Sequence, residues 1–126
     1  MIIRSFAKHI RSATAITALT SNIRAVVLYE NDEGGITFQQ DDDEGAPILG
    51  GSNSLRPARV HVDCYDKDYD QVRTLAAAVR ATYENFSGLL DVDTVQRIDI
   101  ARENDIFETE TKLHRVSILL TIWFNP

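Results

Sequence analysis

Arg59-Val60-His61-Val62-Asp63-Cys64-Tyr65 is the most regular stretch of this chain, and a run with helical spacing follows it from Val72 to Phe86. Together the two segments predict the centre of the fold. In the first part apolar side chains alternate strictly with polar ones, which predicts a strand that is buried on one face only. In the second part apolar residues recur at helical spacing. Asp66 or Asp68 is placed to cap this helix, and Gly88 is placed to stop it. The apolar face of the predicted helix contains Val72, Leu75, Ala76, Val79, Tyr83 and Phe86.

The sequence on either side of this core predicts further strands and an N-terminal helical segment. Residues 2–20 have helical spacing with a break near Ser12 to Thr14, and residues 23–29 are β-branched and apolar. A turn over 30–35 leads to a short strand at 36–40. After the main helix, we expect strands at 92–101 and 113–124, with a bend at Glu103 to Asp105.

This order of elements predicts the α+β class: an antiparallel sheet packed against one main helix, with an N-terminal helical segment. The length of 126 residues is sufficient for one hydrophobic core, so we interpret residues 1–126 as a single domain. The 13 basic and 19 acidic residues give a net charge of -6, which argues against a nucleic-acid-binding protein with a basic surface. No segment has the ~20 apolar residues of a membrane-spanning helix, so we expect no membrane partner.

Residues 41–55 differ in composition from the rest of the chain, and we expect them to form a mobile loop. The loop opens with four consecutive acids, Asp41, Asp42, Asp43 and Glu44. Calcium-binding loops place their ligands at alternate positions, and this run does not. We therefore interpret the run as a solvated part of the loop.

The sequence contains one candidate metal site, formed by His61, Asp63 and the distant His114. Two histidines and a carboxylate are the ligand set of non-haem iron enzymes, but those sites usually lie in barrels that a chain of this kind does not build. Cys64, the only cysteine, lies in the inward set of its strand and is interpreted as a core residue. No nucleophile motif or phosphate-binding loop is present, so we expect no enzymatic activity, no bound metal and no cofactor.

The last predicted strand is apolar on both faces near its end. Val116, Ile118, Leu120, Ile122 and Phe124 share one face, while Leu119 and Trp123 lie on the other. A strand of this kind indicates that a neighbouring element or subunit covers the second face. Leu119 and Trp123 are therefore candidate subunit-interface residues.

The chain resembles the tail-terminator (tail-completion) family of long-tailed bacteriophages, which is also found in prophages and gene transfer agents. The resemblance begins at Ala58 to Tyr65 and continues through Asp70 to Arg80, where a strand of the form R-V-x-V-D-x-Y leads into a helix of the form L-A-x-A-V-R. Ser87-Gly88 corresponds to the small residue and glycine that end the family helix. The N-terminal helices, the strand pair, the polar loop and the last strand extend the resemblance over nearly the whole chain.

The resemblance implies a structural role. Proteins of this family form a ring, typically of six subunits, at the head-proximal end of the virion tail. The ring stops polymerisation of the tail tube and binds the head-completion or connector proteins, and DNA later passes through its hole. In such a ring Asp41, Asp42, Asp43 and Glu44 either face the channel, contact a partner protein or have no role. The resemblance also implies synthesis in the cytoplasm of the bacterial host.

Two other functions remain open at the level of sequence. One is another head–tail connector or completion protein, since several such proteins share this size and class. The other is a small metal-using enzyme built around His61, Asp63 and His114.

Overall fold

The computed structural model describes residues 2–28, 33–41 and 56–125, which contain three helices and six strands. No helix among these residues is long and apolar enough to cross a membrane. In chain order the elements are α1 (Ile2–Ser12), α2 (Thr14–Thr17), β1 (Ile23–Ala25), β2 (Gly34–Gln40), β3 (Arg56–Asp66), α3 (Tyr69–Tyr83), β4 (Gly88–Leu90), β5 (Asp93–Glu108) and β6 (Leu113–Asn125).

The strands form one sheet in the order β1-β2-β3-β6-β5-β4, which confirms the α+β class. All neighbouring strands are antiparallel except β1 and β2, which are parallel, so the sheet is mixed and not purely antiparallel as predicted. The first strand is also shorter than the predicted 23–29. Val26 has a φ of 70°, and the Val27 amide donates to the Ala25 carbonyl at 2.8 Å, which is the geometry of a γ-turn that ends the strand.

The register of β3 against β6 gives the sheet two distinct faces. Directly opposed residues share a face, and the pairs Ala58–Ile122, Val60–Leu120, Val62–Ile118 and Cys64–Val116 are all buried. We call this side, on which the helices pack, the helix face. The opposite side, which carries His61, Asp63, Leu119 and Trp123, is the outer face. The alternation read from the sequence is therefore confirmed on both central strands.

Helix α3 packs on the helix face through the residues that the sequence predicted, from Val72 to Tyr83. The Asp68 carboxylate accepts the Asp70 amide at 3.1 Å, so Asp68 is the N-cap. The helix ends at Tyr83, before the predicted Phe86 and Gly88. Asn85 has a φ of 61°, which asparagine tolerates, and its amide donates to the Ile98 carbonyl on β5 at 3.0 Å.

The predicted bend at Glu103 to Asp105 is wrong, because β5 continues through it to Glu108. Two register shifts, between Val95 and Arg97 and between Ile100 and Arg102, mark β-bulges. The second bulge moves Glu103 and Asp105 onto the helix face. There Arg73 of α3 donates to Glu103 at 3.1 Å and to Asp105 at 2.8 Å. Both acids therefore lie in a strand and form ion pairs with the main helix.

The N-terminal helices complete the core, and the predicted break between them is confirmed. Phe6 is fully buried, with its ring 6.1 Å from that of Phe38 and 5.0 Å from that of Tyr83. Ser5 donates to Asp93 at 2.6 Å, which ties α1 to the start of β5. Helix α1 therefore joins β2, β5 and α3 around one apolar centre.

A histidine in α1 makes the stability of this packing depend on pH. His9 Nδ1 and the hydroxyl of the buried Tyr83 are 2.9 Å apart, and burial lowers the pKa of His9 below its ordinary 6.5. The unfolded chain then takes up a proton at higher pH than the folded chain. The resulting stabilisation is present above about pH 6.5 and is lost as the pH falls toward the folded-state pKa.

We expect the free energy of unfolding, measured in urea, to fall between pH 7.5 and 5.5 more steeply for the wild type than for His9→Gln. Equal slopes for the two proteins would contradict this assignment.

Candidate assembly surface

The candidate metal ligands do not come together. His61 and Asp63 lie on the outer face of β3, whereas His114 lies opposite Asp66 on the helix face. The His114 ring is held between Tyr69 and Phe107, with centroids 5.4 and 4.9 Å away. Within the described residues no group of three His, Cys, Asp or Glu side chains is placed to hold a metal ion. The hypothesis of an enzyme built on these three residues therefore loses its geometric basis.

Cys64 has the environment of a core residue. Its side chain is fully buried on the helix face between β2 and β6, opposite Ile36 and Val116. Burial raises the pKa of the thiol far above its ordinary value, with the nearby Asp63 and Glu103 carboxylates adding to the effect. The thiolate that nucleophilic chemistry requires is therefore strongly disfavoured.

Asp41 is the one member of the acidic run that lies within the described residues. Its amide donates to the Arg59 carbonyl at 2.8 Å, and its Oδ1 is 2.7 Å from His61 Nδ1. Asp41 is thus bound to β3 at the margin of the sheet. Asp42, Asp43, Glu44 and the remainder of the predicted loop to residue 55 lie outside the described residues.

Leu119 and Trp123, the candidate interface residues, both lie on the outer face of β6. Leu119 is opposite His61 on one side and Arg102 on the other, and only 8% of its surface is exposed. Trp123 is half-buried, and its Nε1 donates to Asp99 Oδ2 at 3.2 Å. An indole and a leucine thus lie on a sheet face against which none of the described helices packs.

Three exposed arginines surround these two residues, and the sequence analysis did not identify them. Arg97 is directly opposite Trp123, Arg102 is opposite Leu119, and Arg59 is opposite Thr121 between them. Two described carboxylates belong to the same three rows of the sheet. Asp99 pairs with Arg97 at 3.0 Å, and Asp41 contacts His61 at 2.7 Å next to Arg59. We call this area the Trp123 surface; it consists of Arg59, Arg97, Asp99, Arg102, Leu119 and Trp123. Among the described residues these rows hold three arginines and two carboxylates, an excess of one positive charge in a chain whose net charge is -6.

The bulge between Ile100 and Arg102 explains why the sequence did not show this surface. Without the bulge, the period of two would place Arg102 on the helix face together with Ile98 and Ile100. With it, Arg102 joins Arg97 on the outer face. The only available signal was the pair of adjacent polar residues Arg102-Glu103, which interrupts the alternation.

Comparisons with known proteins agree with this fold along nearly the whole chain. A chain in a solved structure described as the virion of a native gene transfer agent particle superimposes with a TM-score of 0.72 at 10% identity, and the match covers 94% of this chain and 90% of that one. A second solved chain, whose description states no function, matches with a TM-score of 0.67 at 15% identity over 99% of this chain and 94% of its own. No curated protein matches significantly. The family model described as tail completion protein gp17 matches residues 5–125. The chain therefore belongs to the tail completion protein gp17 family, whose members are structural proteins of phage tails.

Proposed function

We propose that the protein forms a six-subunit ring at the head-proximal end of a phage-type tail, where it stops polymerisation of the tail tube and joins the tail to the head. The observation that carries this proposal is the family match over residues 5–125, which includes all six described strands, α2, α3 and most of α1. Trp123 supports it, because its indole is half-buried on a face of β6 against which none of the described helices packs, and a neighbouring subunit could contact it there.

The partners in this proposal are other copies of the same chain, the tail tube protein and a head-completion or connector protein. DNA passes through the ring without sequence-specific binding, in keeping with the acidic net charge. The protein is made in the host cytoplasm and acts by contact alone. The burial of Cys64 and the separation of His61 from His114 support a role without catalysis.

Tube growth in vitro tests the proposal directly. Purified tail tube protein is polymerised with and without this protein, and tube lengths are measured in electron micrographs. We expect substoichiometric amounts of the protein to shorten the tubes and to place one ring at one tube end. Tubes of unchanged length, together with binding of the protein to an isolated head connector, would favour the alternative connector role instead.

The acidic run supports a second experiment. We propose that Asp42, Asp43 and Glu44 act either by repelling DNA phosphates near the hole, over the ~8–10 Å allowed by screening, or by contacting a partner protein. Replacing these three residues with serine is expected to leave the thermal unfolding midpoint unchanged and to lower the yield of infectious particles. Asp41 is kept in this variant, because its carboxylate contacts His61 on β3 and its replacement would remove a contact within the fold. A normal yield would show that the run has no role in assembly or DNA passage.

A further inference from the structure

We propose that the Trp123 surface of one copy binds a different surface of the next copy. This second surface lies where α3 begins, contains both aromatic and acidic side chains, and is called the acidic end. This inference rests on the proposed ring and names the two surfaces that would meet in it. The acidic end consists of Asp66, Asp68, Tyr69, Asp70, Phe107 and His114.

The acidic end is exposed and rich in aromatic surface. Tyr69 is 44% exposed and Phe107 is 51% exposed, and the two rings pack on either side of His114. Next to them, Asp66, Asp68 and Asp70 precede or begin helix α3. The one lysine in this short segment, Lys67, is 2.9 Å from Glu33, so the end has an excess of negative charge.

The chemistry of the two surfaces is complementary. Arginine guanidinium groups bind carboxylates and also stack on aromatic rings. The Trp123 surface presents three arginines, and the acidic end presents both carboxylates and aromatic rings. Tryptophan, tyrosine and arginine are the residues that most often dominate the affinity of protein interfaces. The half-buried indole of Trp123 provides the apolar centre, and the arginines provide the charged rim.

Neither surface is suited to bind a second copy of itself. Two Trp123 surfaces would bring arginines together, and two acidic ends would bring carboxylates together, and both arrangements are repulsive. The two surfaces also lie far apart on the subunit. Trp123 and His114 are nine residues apart on β6, or about 30 Å along an extended strand, and they lie on opposite faces of the sheet. A contact between two different surfaces repeats around an axis, which is the arrangement that closes a ring.

Charge reversal on each surface tests the inference. The first variant is Arg97→Glu/Arg102→Glu on the Trp123 surface. The second is Asp68→Ser/Asp70→Arg on the acidic end, in which serine retains an N-cap side chain for α3. Arg4→Glu/Lys8→Glu is the matched control, because it makes the same change in charge on exposed residues of α1. Rings are counted by electron microscopy, alone and on tube ends, over a range of protein concentrations.

We expect each interface variant to need at least about tenfold more protein than the wild type to form rings, while the control assembles normally. Combining all four interface substitutions in one chain is expected to restore part of the assembly that Arg97→Glu/Arg102→Glu loses, because two of the three carboxylates that repel the new glutamates are then absent. Circular dichroism verifies that each variant is folded. If Arg97→Glu/Arg102→Glu does not fold, Arg97→Ala/Arg102→Ala is used in its place.

Two results would overturn the inference. The first is normal ring formation by the Arg97→Glu/Arg102→Glu protein, and loss of its binding to a labelled 30-base-pair DNA duplex would then assign the arginines to DNA. The second is failure of the combined variant to assemble better than Arg97→Glu/Arg102→Glu when both parent variants are folded. Absence of rings and of tube capping by the wild type would instead reject the proposed function.

Discussion

Replacing Trp123 with aspartate is expected to abolish ring assembly while the chain still folds. The indole lies half-buried on the outer face, and β6 retains both of its neighbouring strands without it. The new carboxylate would lie close to Asp99, which now accepts the indole N–H at 3.2 Å, and the two like charges would repel each other. In the ring, the variant would also lack the indole at the centre of the contact, and its carboxylate opposite Arg97 would reduce the positive charge of the Trp123 surface.

Electron microscopy and thermal unfolding distinguish assembly from folding for this variant. We expect no rings at protein concentrations that give complete rings for the wild type, and an unfolding transition that remains cooperative. Trp123→Phe is the matched control, because it retains an aromatic ring at the interface and adds no charge. Normal rings formed by Trp123→Asp would show that this part of the outer face is not at a subunit contact.

Replacing Leu120 with alanine is expected to lower the free energy of unfolding by about 2–5 kcal/mol. Leu120 is fully buried on the helix face, opposite Val60 on β3 and Ile100 on β5. Removing its three outer carbon atoms leaves a cavity that the surrounding strands cannot close, because they are fixed by hydrogen bonds on both sides.

Urea denaturation of the monomer measures this effect, with Thr121→Ala as the control at the next position. Thr121 is half-buried on the outer face, so its loss should cost no more than about 0.5–1 kcal/mol. A similar small loss for Leu120→Ala would mean that the centre of β6 does not lie in the core. Together with the Trp123 variants, these measurements separate the folding role of one face of β6 from the assembly role of the other.

Local patterns in the sequence were sufficient for the central elements of this protein. The alternation from Arg59 to Tyr65 predicted β3 and its buried face, and the helical spacing after Asp68 predicted most of α3. Both predictions succeed because burial on one face imposes a period of two on a strand and of 3.6 on a helix. The same pattern of packing residues carried the family resemblance, which the match over residues 5–125 confirms.

The positions of the charged and aromatic side chains on the outer face depend on contacts between distant parts of the chain. The parallel pairing of β1 with β2 depends on contacts between separate strands, as does the end of α3 at Tyr83, where Asn85 bonds to β5. The face on which Arg102 lies depends on a bulge in β5, since one extra residue reverses the side of every residue after it. His114 was separated from His61 by the register of β6 against β3. Periodicity fixes which residues are buried together, but register and bulges are set by long-range hydrogen bonding, and these place Arg59, Arg97 and Arg102 around Trp123.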